Sequence, residues 1–560
     1  MDRRRCGVAA VGALALAAGM SPATGQAAGP KALLVGTFKG TAGQYSTIQA
    51  AVDAAQPGDW VLIAPGVYHE KGNPAAGVYI TTANLHVRGM ERNTTVVDGT
   101  NPGSATPCSS SPSQQDFNGG SGRNGIEVWK ADGVTIENLL VCNYLASDAG
   151  KNGNEIWWNG GDGSGAVGLG SFDGAYLTAT SSYYKDDTHA MAQYGIFTSN
   201  ENGPAVIAHT YASNMGDAAY YIGACPDCQV DLTDAHGEGS ALGYSGTNAG
   251  GRLIIEHSEF NNNRTGIAPN SLNNDDAPSP QNGACPAGGR GPTGSSSCTL
   301  IQNNNVHDNN NANAPAFGIT SAIGTGIELS GSQNDTVINN TVKNQKGWGI
   351  LINDYPDTAS PPPVAHCVGG TVLTTATAFF PAGTCYFNAF GTEVGHNSLS
   401  GNGGFGNISN GDLANLTDNQ SLGPHPANCW HDNTAAGGTV TTWPAGLQTT
   451  NKTCGASDSA GIDTVLELQV GCAANALPCA PGSYPARGAV NMLPIPVKLA
   501  SMPDPCAGAP ANAWCPATAA VAPESSSSTK YWLGAAAVAV VAAGLGLFAW
   551  TKRRRRQAAG

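Results

Sequence analysis

The sequence predicts an all-β protein whose chain winds into a solenoid. The composition favours many short strands joined by tight turns, because the 560 residues include 75 glycines and only 12% are charged. A line of apolar and polar positions recurs along the middle of the chain about every 24 residues, a period typical of solenoids. A single coil of that length cannot bury its apolar side, whereas a stack of coils can.

Apolar segments at the two ends predict export and membrane anchoring. Residues 1–28 are predicted to be a signal peptide, because three arginines precede the apolar run from Gly7 to Met20. Residues 531–550 carry no charge, and as a helix they would cross a bilayer core of about 30 Å. The basic tail, 551–560, should then stay cytoplasmic. We expect a single-pass protein of the cell membrane with an extracellular N-terminal domain; a buried core helix is the alternative for 531–550.

A short amphipathic helix is predicted at the start of the mature chain. Ser46 followed by Gln49 forms a capping box, and Pro57-Gly58-Asp59 ends the helix before a strand over residues 60–64. The apolar positions that share one helical face are Ile48, Val52 and Ala55. We expect this helix to cover the open end of the first coil, which would otherwise invite edge-to-edge association.

The repeated line has the form apolar-x-x-polar-x-apolar-x-x-polar. Its predicted starts are Val206, Val230, Ile255, Ile301, Val337 and Val394. In the clearest lines an asparagine stands three residues after the first apolar position, at Asn304, Asn340 and Asn397. Stacking would bring these amides into a ladder in which each bonds the turn backbone of its neighbour.

Three stretches resemble a known superfamily: "STIQAAVDAAQPGDWVLIAPGVYHE" from Ser46, "RGMERNTTVVDG" from Arg88 and "NGIEVWKADGVTIENLLVCNY" from Asn124. They are similar to the right-handed parallel β-helix proteins of the pectate-lyase-like superfamily. The resemblance implies a right-handed β-helix over 31–425. It also implies a groove for saccharide chains beside one sheet and, if the protein is an enzyme, a polysaccharide lyase, glycoside hydrolase or epimerase.

The remaining chain is rich in cysteine and proline. We expect a disulfide-stapled cap or appendage over 426–515 and a flexible tether over 516–530. Fourteen cysteines follow Cys6, an even number that predicts disulfides in an oxidising compartment. The predicted neighbouring pairs are 285 with 298, 367 with 385, 429 with 454, 472 with 479, and 506 with 515. Cys225 and Cys228 form a local disulfide or, alternatively, a redox or zinc motif.

The formal net charge of −14 limits the partners. An acidic surface repels nucleic acid, so no nucleic-acid partner is expected, and it disfavours a polyuronate unless a basic groove or bound cations reverse it. Carboxylates such as Asp275 and Asp276 could hold Ca²⁺, although no calcium loop motif is present. No motif indicates a nucleotide cofactor.

Aromatic residues concentrate in one region and are candidates for binding a polysaccharide or cell-surface glycan. Nine of the 16 tyrosines lie between Tyr144 and Tyr244. The predicted stacking residues are Trp157, Trp158, Tyr183 and Tyr184. Alternatively, these rings fill or cap the coils.

Two acidic clusters supply the catalytic candidates. In "YYKDDTH", Asp186 and Asp187 are adjacent, and neighbouring acids can have split pKa values that suit an acid and a base. In "DLTDAHGEGS", His236 stands among acids. Asp186-Asp187 followed by His236-Gly237 partly resembles the polygalacturonase motifs, without their Arg-x-Lys element. Solvated acidic turns and a structural histidine are the alternative. Two hypotheses stay open: an anchored glycan-processing enzyme, and a non-catalytic surface adhesin or envelope structural rod of undefined oligomeric state.

Overall fold

The computed structural model describes residues 29–517 except 104–105, 275–297, 319–320, 359–366, 377–379, 419–424 and 459–460. The predicted signal peptide, transmembrane helix and basic tail lie outside the described residues, as do Asp275, Asp276, Cys285 and most of the tether. Within the described residues, no helix has the length and apolar character needed to cross a membrane. Contacts divide the chain into two compact units, 1–507 and 508–560. The first unit contains the fold described below.

Three long parallel sheets form the body of the protein, and each coil adds one strand to each sheet. The first, 12-stranded sheet contains Ala32–Val35, Trp60–Ile63, His86–Gly89, Val134–Glu137, Phe172–Ala175, Ala205–Ala208, Val230–Thr233, Leu253–Glu256, Thr299–Gln302, Thr336–Ile338, Glu393–Gly395 and Cys429–His431. The second, 11-stranded sheet contains Gly66–Tyr68, Thr95–Asp98, Leu140–Cys142, Thr178–Thr180, Tyr211–Ser213, His236–Glu238, Glu259–Asn261, Asn305–His307, Thr341–Lys343, Ser398–Ser400 and Thr434–Ala435. The third, 11-stranded sheet contains Ala76–Ile80, Asn124–Trp129, Asn154–Asn159, Tyr194–Ser199, Ala218–Gly223, Leu242–Thr247, Thr265–Asn270, Thr325–Ser330, Trp348–Asn353, Gly411–Leu416 and Thr442–Trp443.

This topology confirms a parallel β-helix with a dry core. Aliphatic residues of equivalent coils stack inside it; for example, Ile255, Ile301, Val337 and Val394 pair in register and are fully buried. The register also corrects two predicted line starts. Ile207 and Leu232 hold the position that Ile255 holds in its coil, so Val206 lies one residue and Val230 two residues too early. Val206 instead points outward and is 44% exposed.

The predicted asparagine ladder is present at the corner between the first and second sheets. The backbone N–H of Asn304 donates to Asn340 Oδ1 at 3.0 Å, and that of Asn340 donates to Asn397 Oδ1 at 2.9 Å. The ladder continues past the prediction, because Asn397 N–H donates to Asn433 and Ser258 N–H donates to Asn304. Each buried amide thus satisfies a turn backbone that has no water to bond.

A second ladder occupies the corner between the second and third sheets. In this ladder the backbone N–H of each residue donates to the side-chain oxygen of its counterpart in the next coil. The series is Ser240, Asn263, Asn309, Gln345 and Asn402. These residues fall at the last polar position of the repeated line. Stacked side chains, mainly amides, therefore hold two of the three corners of the solenoid.

The predicted N-terminal lid is the helix Ile48–Ala54. Ile48, Val52 and Ala55 are buried beneath it, as expected. The predicted capping box is wrong in detail: the N-cap is Thr47, and the remote Glu70 carboxylate accepts from the Ile48 and Gln49 N–H groups. The Gln49 amide instead pairs with the Tyr79 backbone in both directions, closing the first edge of the third sheet.

The solenoid extends past its predicted end at residue 425, because one further coil, from Cys429 to Trp443, joins all three sheets. Helices Leu447–Thr450 and Thr464–Ala473 follow. The chain then runs back along the outside of the second sheet: Leu493 pairs with Asn214, and Leu499 pairs with Asn93. The predicted appendage is thus, up to residue 507, a cap and a strap on the solenoid.

Short antiparallel strands and 3₁₀ helices lie in the insertions between the strands of the three long sheets. Antiparallel pairs are formed by Thr37–Phe38 with Thr41–Ala42, Tyr184–Asp186 with His189–Met191, and His425–Pro426 with Ser457–Asp458. Tyr355–Asp357, Thr371–Val372 and Cys385–Phe387 form a small sheet, and Pro112–Gln114 and Asn118–Gly120 are 3₁₀ helices.

Disulfides staple these insertions as predicted for three pairs: 367 with 385, 429 with 454, and 472 with 479. Cys225 and Cys228 form the local disulfide. Cys298, Cys506 and Cys515 are each disulfide-bonded. A bridge between Cys108 and Cys142 was not predicted, because its partners are separated by an insertion.

Candidate functional site

The outer face of the third sheet carries a row of aromatic side chains. Strand pairing places Glu127, Trp157, Phe197 and Tyr221 in register on four consecutive coils. Ile156 and Trp158 on either side of Trp157 face the core, so Trp157 faces outward. The register therefore lines up three rings, spaced by the separation of strands, beside one carboxylate.

The rings of this aromatic row are packed against one another. Trp157 and Phe197 stack at 4.8 Å between centroids with an interplanar angle of 4°, and Phe197 meets Tyr221 edge to face at 4.7 Å. Tyr194 packs beside both, 4.5 Å from Phe197 and 5.2 Å from Tyr221. Trp157, Tyr194 and Phe197 are half-buried, so each ring keeps part of its surface in contact with solvent.

A polar row runs beside the aromatic row, two residues farther along the strands of Trp157 and Phe197. Its members there are Asn159 and Ser199; Gly223 interrupts the row on the strand of Tyr221, and Thr247 and Asn270 resume it on the next two coils. Trp157 Nε1 donates to Ser199 Oγ at 3.0 Å, and Thr247 Oγ1 donates to Asn270 Oδ1 at 2.8 Å. Asn159, Ser199 and Thr247 are buried and Asn270 is half-buried, so this polar strip bonds to neighbouring side chains at the border of the apolar strip.

Insertions border this face on both sides. Residues 143–153 and 181–193 connect the second sheet to the third on one side, and residues 160–171 leave the third sheet on the other. Phe317, from a later insertion, folds back so that its N–H donates to Gly216 O at 2.7 Å. The aromatic row therefore lies between insertions on both sides, and the sheet face between them is called the groove below.

Asp217 and Tyr194 form an acid–phenol pair at the border of this groove. The Tyr194 hydroxyl donates to Asp217 Oδ2 at 2.7 Å. Burial of the carboxyl group raises the pKa of Asp217 to about 7, and the bond from Tyr194 only partly opposes this. A carboxyl group with such a pKa can donate or accept a proton near neutral pH.

Glu127 is the second perturbed acid of the groove. Burial raises the pKa of Glu127, although amide groups of Asn159 and Asn124 each donate to its carboxylate at 2.9 Å. Asp217 directly precedes the strand Ala218–Gly223, which lies three strands away from the strand of Glu127 in the third sheet. At about 4.8 Å between neighbouring strands, these two strands are roughly 14 Å apart. That separation exceeds the spacing of the two carboxyl groups in retaining and inverting glycosidases.

The structure separates the stacking residues that the sequence predicts. Trp157 lies on the groove floor. Trp158, predicted to stack on a ligand, instead lies in the core: its side chain is 0% exposed, and its Nε1 donates to Val134 O, so no ring face is available to a ligand. Tyr183 is also buried, against Leu145 and Ala190. The half-buried Tyr184 lies on the hairpin of residues 184–191.

Asp186 and Asp187 lie on that hairpin and have separate partners. Hydrogen bonds from the Thr188 backbone and from His189 lower the pKa of Asp186 to about 2, which keeps it ionised and unsuited to act as an acid. Asp187 accepts from the Tyr184 hydroxyl and forms an ion pair with Arg487 of the strap. The pair with split pKa values that the sequence suggests is therefore not formed, and Asp187 contributes to fastening the strap.

His236 lies on the second sheet, away from the aromatic row on the third. Its Nε2 lies 2.7 Å from Asn261 Oδ1, and its ring meets Tyr211 edge to face. Trp157, Tyr184, Asp186 and His236 thus occupy three different places: a face of the third sheet, the hairpin inserted between the second and third sheets, and the second sheet.

The sequence pattern does not indicate Glu127, Tyr194, Phe197, Asp217 or Tyr221 as site residues. All but Glu127 lie within the tyrosine-rich region between Tyr144 and Tyr244. The missing information was the coil register, since insertions of unequal length between strands hide which aromatic residue pairs with which. A repeat alignment anchored on the buried positions Ile156, Ile196 and Tyr220 would have lined up these rings.

The chain matches no known family profile and no curated protein. Among solved structures it is similar to the A-module of the mannuronan C-5 epimerase AlgE4 of Azotobacter vinelandii, with 14% identity, a TM-score of 0.40, and coverage of 73% of this chain and 95% of that one. It is also similar to a double mutant of the tailspike protein of E. coli bacteriophage HK620 in complex with a pentasaccharide: 10% identity, TM-score 0.38, 70% of this chain and 60% of that one. A mannuronic acid specific polysaccharide family 6 lyase from human gut microbiota gives 11% identity and a TM-score of 0.34, over 72% and 79% of the two chains. The fold assignment itself rests on the strand pairing of this chain.

Proposed function

We propose that this protein binds an uncharged polysaccharide along the outer face of the third sheet. The observation that carries the proposal is the aromatic row of Trp157, Phe197 and Tyr221, which lies next to Asn159 and Ser199 and is followed on later coils by Thr247 and Asn270. Sugar rings have apolar C–H surfaces and hydroxyl edges. A groove with one apolar and one hydrogen-bonding strip matches both parts of such a ligand.

The charge of the groove favours a neutral glycan over a polyuronate. Glu127 and Asp217 lie at the floor, and the whole chain carries a formal charge of −14. Arg264, at the start of a later strand of the same sheet, is buried and donates to Ala473 O of the C-terminal cap, so it is not directed at the groove. The acidic chain therefore disfavours an anionic ligand, and Arg264 does not supply a cation that would offset this.

The binding experiment uses the full-length protein and a panel of neutral and acidic polysaccharides immobilised on a chip. We expect saturable binding to a neutral member and at least about tenfold weaker binding by the Trp157→Ala/Phe197→Ala variant, since loss of two stacked rings removes the apolar strip. Tyr176→Ala is the matched control, because Tyr176 is a half-buried ring stacked on His209 at the opposite corner of the coils. Equal affinity of the double variant and the wild type would remove this assignment.

Catalysis in the same groove is the second candidate, favoured by the Asp217–Tyr194 pair. Hydrolysis by two carboxyl groups does not suit the roughly 14 Å between the Glu127 and Asp217 coils. Proton transfer to or from a bound sugar by one acid and one phenol remains, as in elimination or epimerisation. If Asp217 acts as the base, turnover rises with pH through about 7, because the carboxyl group must first lose its proton.

Asp217→Asn distinguishes the enzyme from the adhesin. An enzyme loses turnover, seen as unsaturated or rearranged sugar products, while glycan affinity changes little. A protein that only binds shows no products from the wild type at any pH between about 5 and 9. Tyr194→Phe is the partner variant: it retains the ring and removes the hydroxyl donor to Asp217.

The proposed function also includes a cellular location for the protein. We propose that residues 531–550 hold the β-helix outside the cell at the membrane. Protease added to intact cells should then release the domain, whereas cells in which residues 531–560 are deleted should secrete it. Recovery of the intact domain from the cytosol would contradict the proposed location.

A further inference from the structure

Two histidines and an aspartate converge at the last two coils, at the corner between the first and second sheets. His396 and Asp432 each begin the turn that leaves the first sheet, with left-handed φ values of 55° and 52°. His431 is the last residue of the strand Cys429–His431. One potential ligand atom from each of the three residues lies within 4.8 Å of the other two.

We infer that His396, His431 and Asp432 form a binding site for a divalent transition-metal ion such as Zn²⁺. Nδ1 of His431 lies 3.1 Å from Asp432 Oδ2, and His396 Nε2 lies 3.8 Å from the same oxygen. Ligands about 2.0–2.1 Å from a tetrahedral ion stand about 3.3 Å apart, so small side-chain rotations would bring these three onto one ion. Imidazole nitrogen with carboxylate oxygen is a zinc-type donor set, and three protein ligands leave the fourth position to water.

The partner of the other His431 nitrogen supports this inference independently. Nε2 of His431 lies 3.2 Å from the Glu393 carboxylate, whose side chain is fully buried. This contact favours the tautomer with its proton on Nε2 and leaves the Nδ1 lone pair directed at the candidate site. A carboxylate that holds the second nitrogen is the usual outer partner of a metal-binding histidine.

The backbone around His431 is shaped to hold this ring. A Cβ on Gly395 would lie 2.6 Å from His431 Cε1, so only glycine lets the imidazole lie over this strand. The Cys429–Cys454 disulfide fastens the same strand. His396 comes from one coil and His431 with Asp432 from the next, so a bound ion would join the last two coils of the solenoid.

The molecule supplies its own control site. His307 also lies between two carboxylates, 2.8 Å from both Glu259 and Asp308. Within the described residues, no group of three potential ligand atoms within 4.8 Å of one another includes His307. His307 therefore has the acidic surroundings of His431 without a complete set of three converging ligand atoms.

Metal-free full-length protein without a histidine tag is titrated with ZnCl₂ by calorimetry, and with Co²⁺ to record visible absorption. We expect one equivalent of Zn²⁺ at micromolar or tighter affinity, and a cobalt spectrum with nitrogen ligation. His396→Ala should weaken this binding at least about 100-fold, Glu393→Gln about 10- to 100-fold, and His307→Ala should leave it unchanged.

Thermal unfolding without metal shows that each variant is folded; His396 is half-exposed, so its removal should not lower the melting temperature. Added Zn²⁺ should raise the melting temperature of the wild type and not that of His396→Ala. The inference is overturned if the wild type binds no ion below about 1 mM, or if His396→Ala/His431→Ala binds Zn²⁺ as tightly as the wild type.

Discussion

At the scale of single residues, the stacked amides define the register of the coils. Asn340 accepts from the Asn304 backbone N–H and side chain, and its Nδ2 donates to Ile301 O at 2.9 Å. These groups are buried and have no water to replace a lost partner. One side chain therefore satisfies polar groups of two coils.

Asn340→Ala should lower the free energy of unfolding by about 3 kcal/mol, because it leaves buried donors of Asn304 without an acceptor. Thr341→Ala is the matched control: the neighbouring side chain is exposed, and its loss should change stability by less than about 0.5 kcal/mol. Urea unfolding followed by circular dichroism measures both. Similar stability for the two variants would show that the ladder contributes little.

Individual residues also show which features could be predicted from the sequence and which could not. Asn304, Asn340 and Asn397 were predictable, because their residue type and spacing both depend on the turn backbone. Trp157 and Trp158 were not separable, since adjacent strand residues face opposite sides and only the register shows which side is the core. Glu70 could not be identified as a helix cap, because the contact spans 22 residues and depends on the coil between them.

At the scale of elements, helix Thr464–Ala473 covers the outer face of the third sheet on later coils, beyond those that carry the aromatic row. Asp463 caps the helix by accepting from Val465 and Leu466 N–H groups at 3.0 Å. Leu466 and Val470 pack on the outward rings and aliphatic side chains of the later coils, namely Trp348, Leu351, Ala414 and Leu416. The outer face thus has an open N-terminal part and a covered C-terminal part.

Leu466→Ala should lower stability by about 2–4 kcal/mol, because the side chain is 0% exposed and its loss leaves a cavity over the sheet. Leu468→Ala is the control two residues away, where the side chain is 51% exposed and the same substitution should be nearly neutral. The midpoint of chemical unfolding reports the difference. A neutral effect at both positions would contradict the docking of this helix.

At the scale of the whole molecule, the acidic chain buries many carboxyl groups. Burial raises the pKa of Glu201 to about 8, and raises those of Asp217, Glu328, Asp335, Asp354 and Glu467 to about 7. The folded protein therefore keeps protons that the unfolded chain, with ordinary pKa values near 4, has already released at neutral pH. The raised carboxyl pKa values therefore stabilise the folded protein most at low pH, where these groups are protonated in both the folded and the unfolded chain.

Stability should accordingly fall as the pH rises from about 4.5 to 8 and level off above that range. Burial also lowers the pKa of His86 and His425, which opposes this trend below about pH 6.5, but these two groups are outnumbered by the buried acids. The melting temperature is expected to be roughly 5 °C higher at pH 5 than at pH 8. Glu201→Gln should reduce the difference, because Thr198 can still donate to the amide oxygen and one titrating group is gone. A melting temperature that increases with pH would contradict these burials.

The working surface of the solenoid is tested most directly by hydroxyl-radical footprinting with the polysaccharide that the panel identifies. If the glycan lies on the third sheet, it should reduce oxidation of Trp157, Tyr194 and Phe197 while leaving Tyr176 at the opposite corner unchanged. Unchanged oxidation of these three rings, with protection of Tyr184 or His236 instead, would contradict the assignment of the groove.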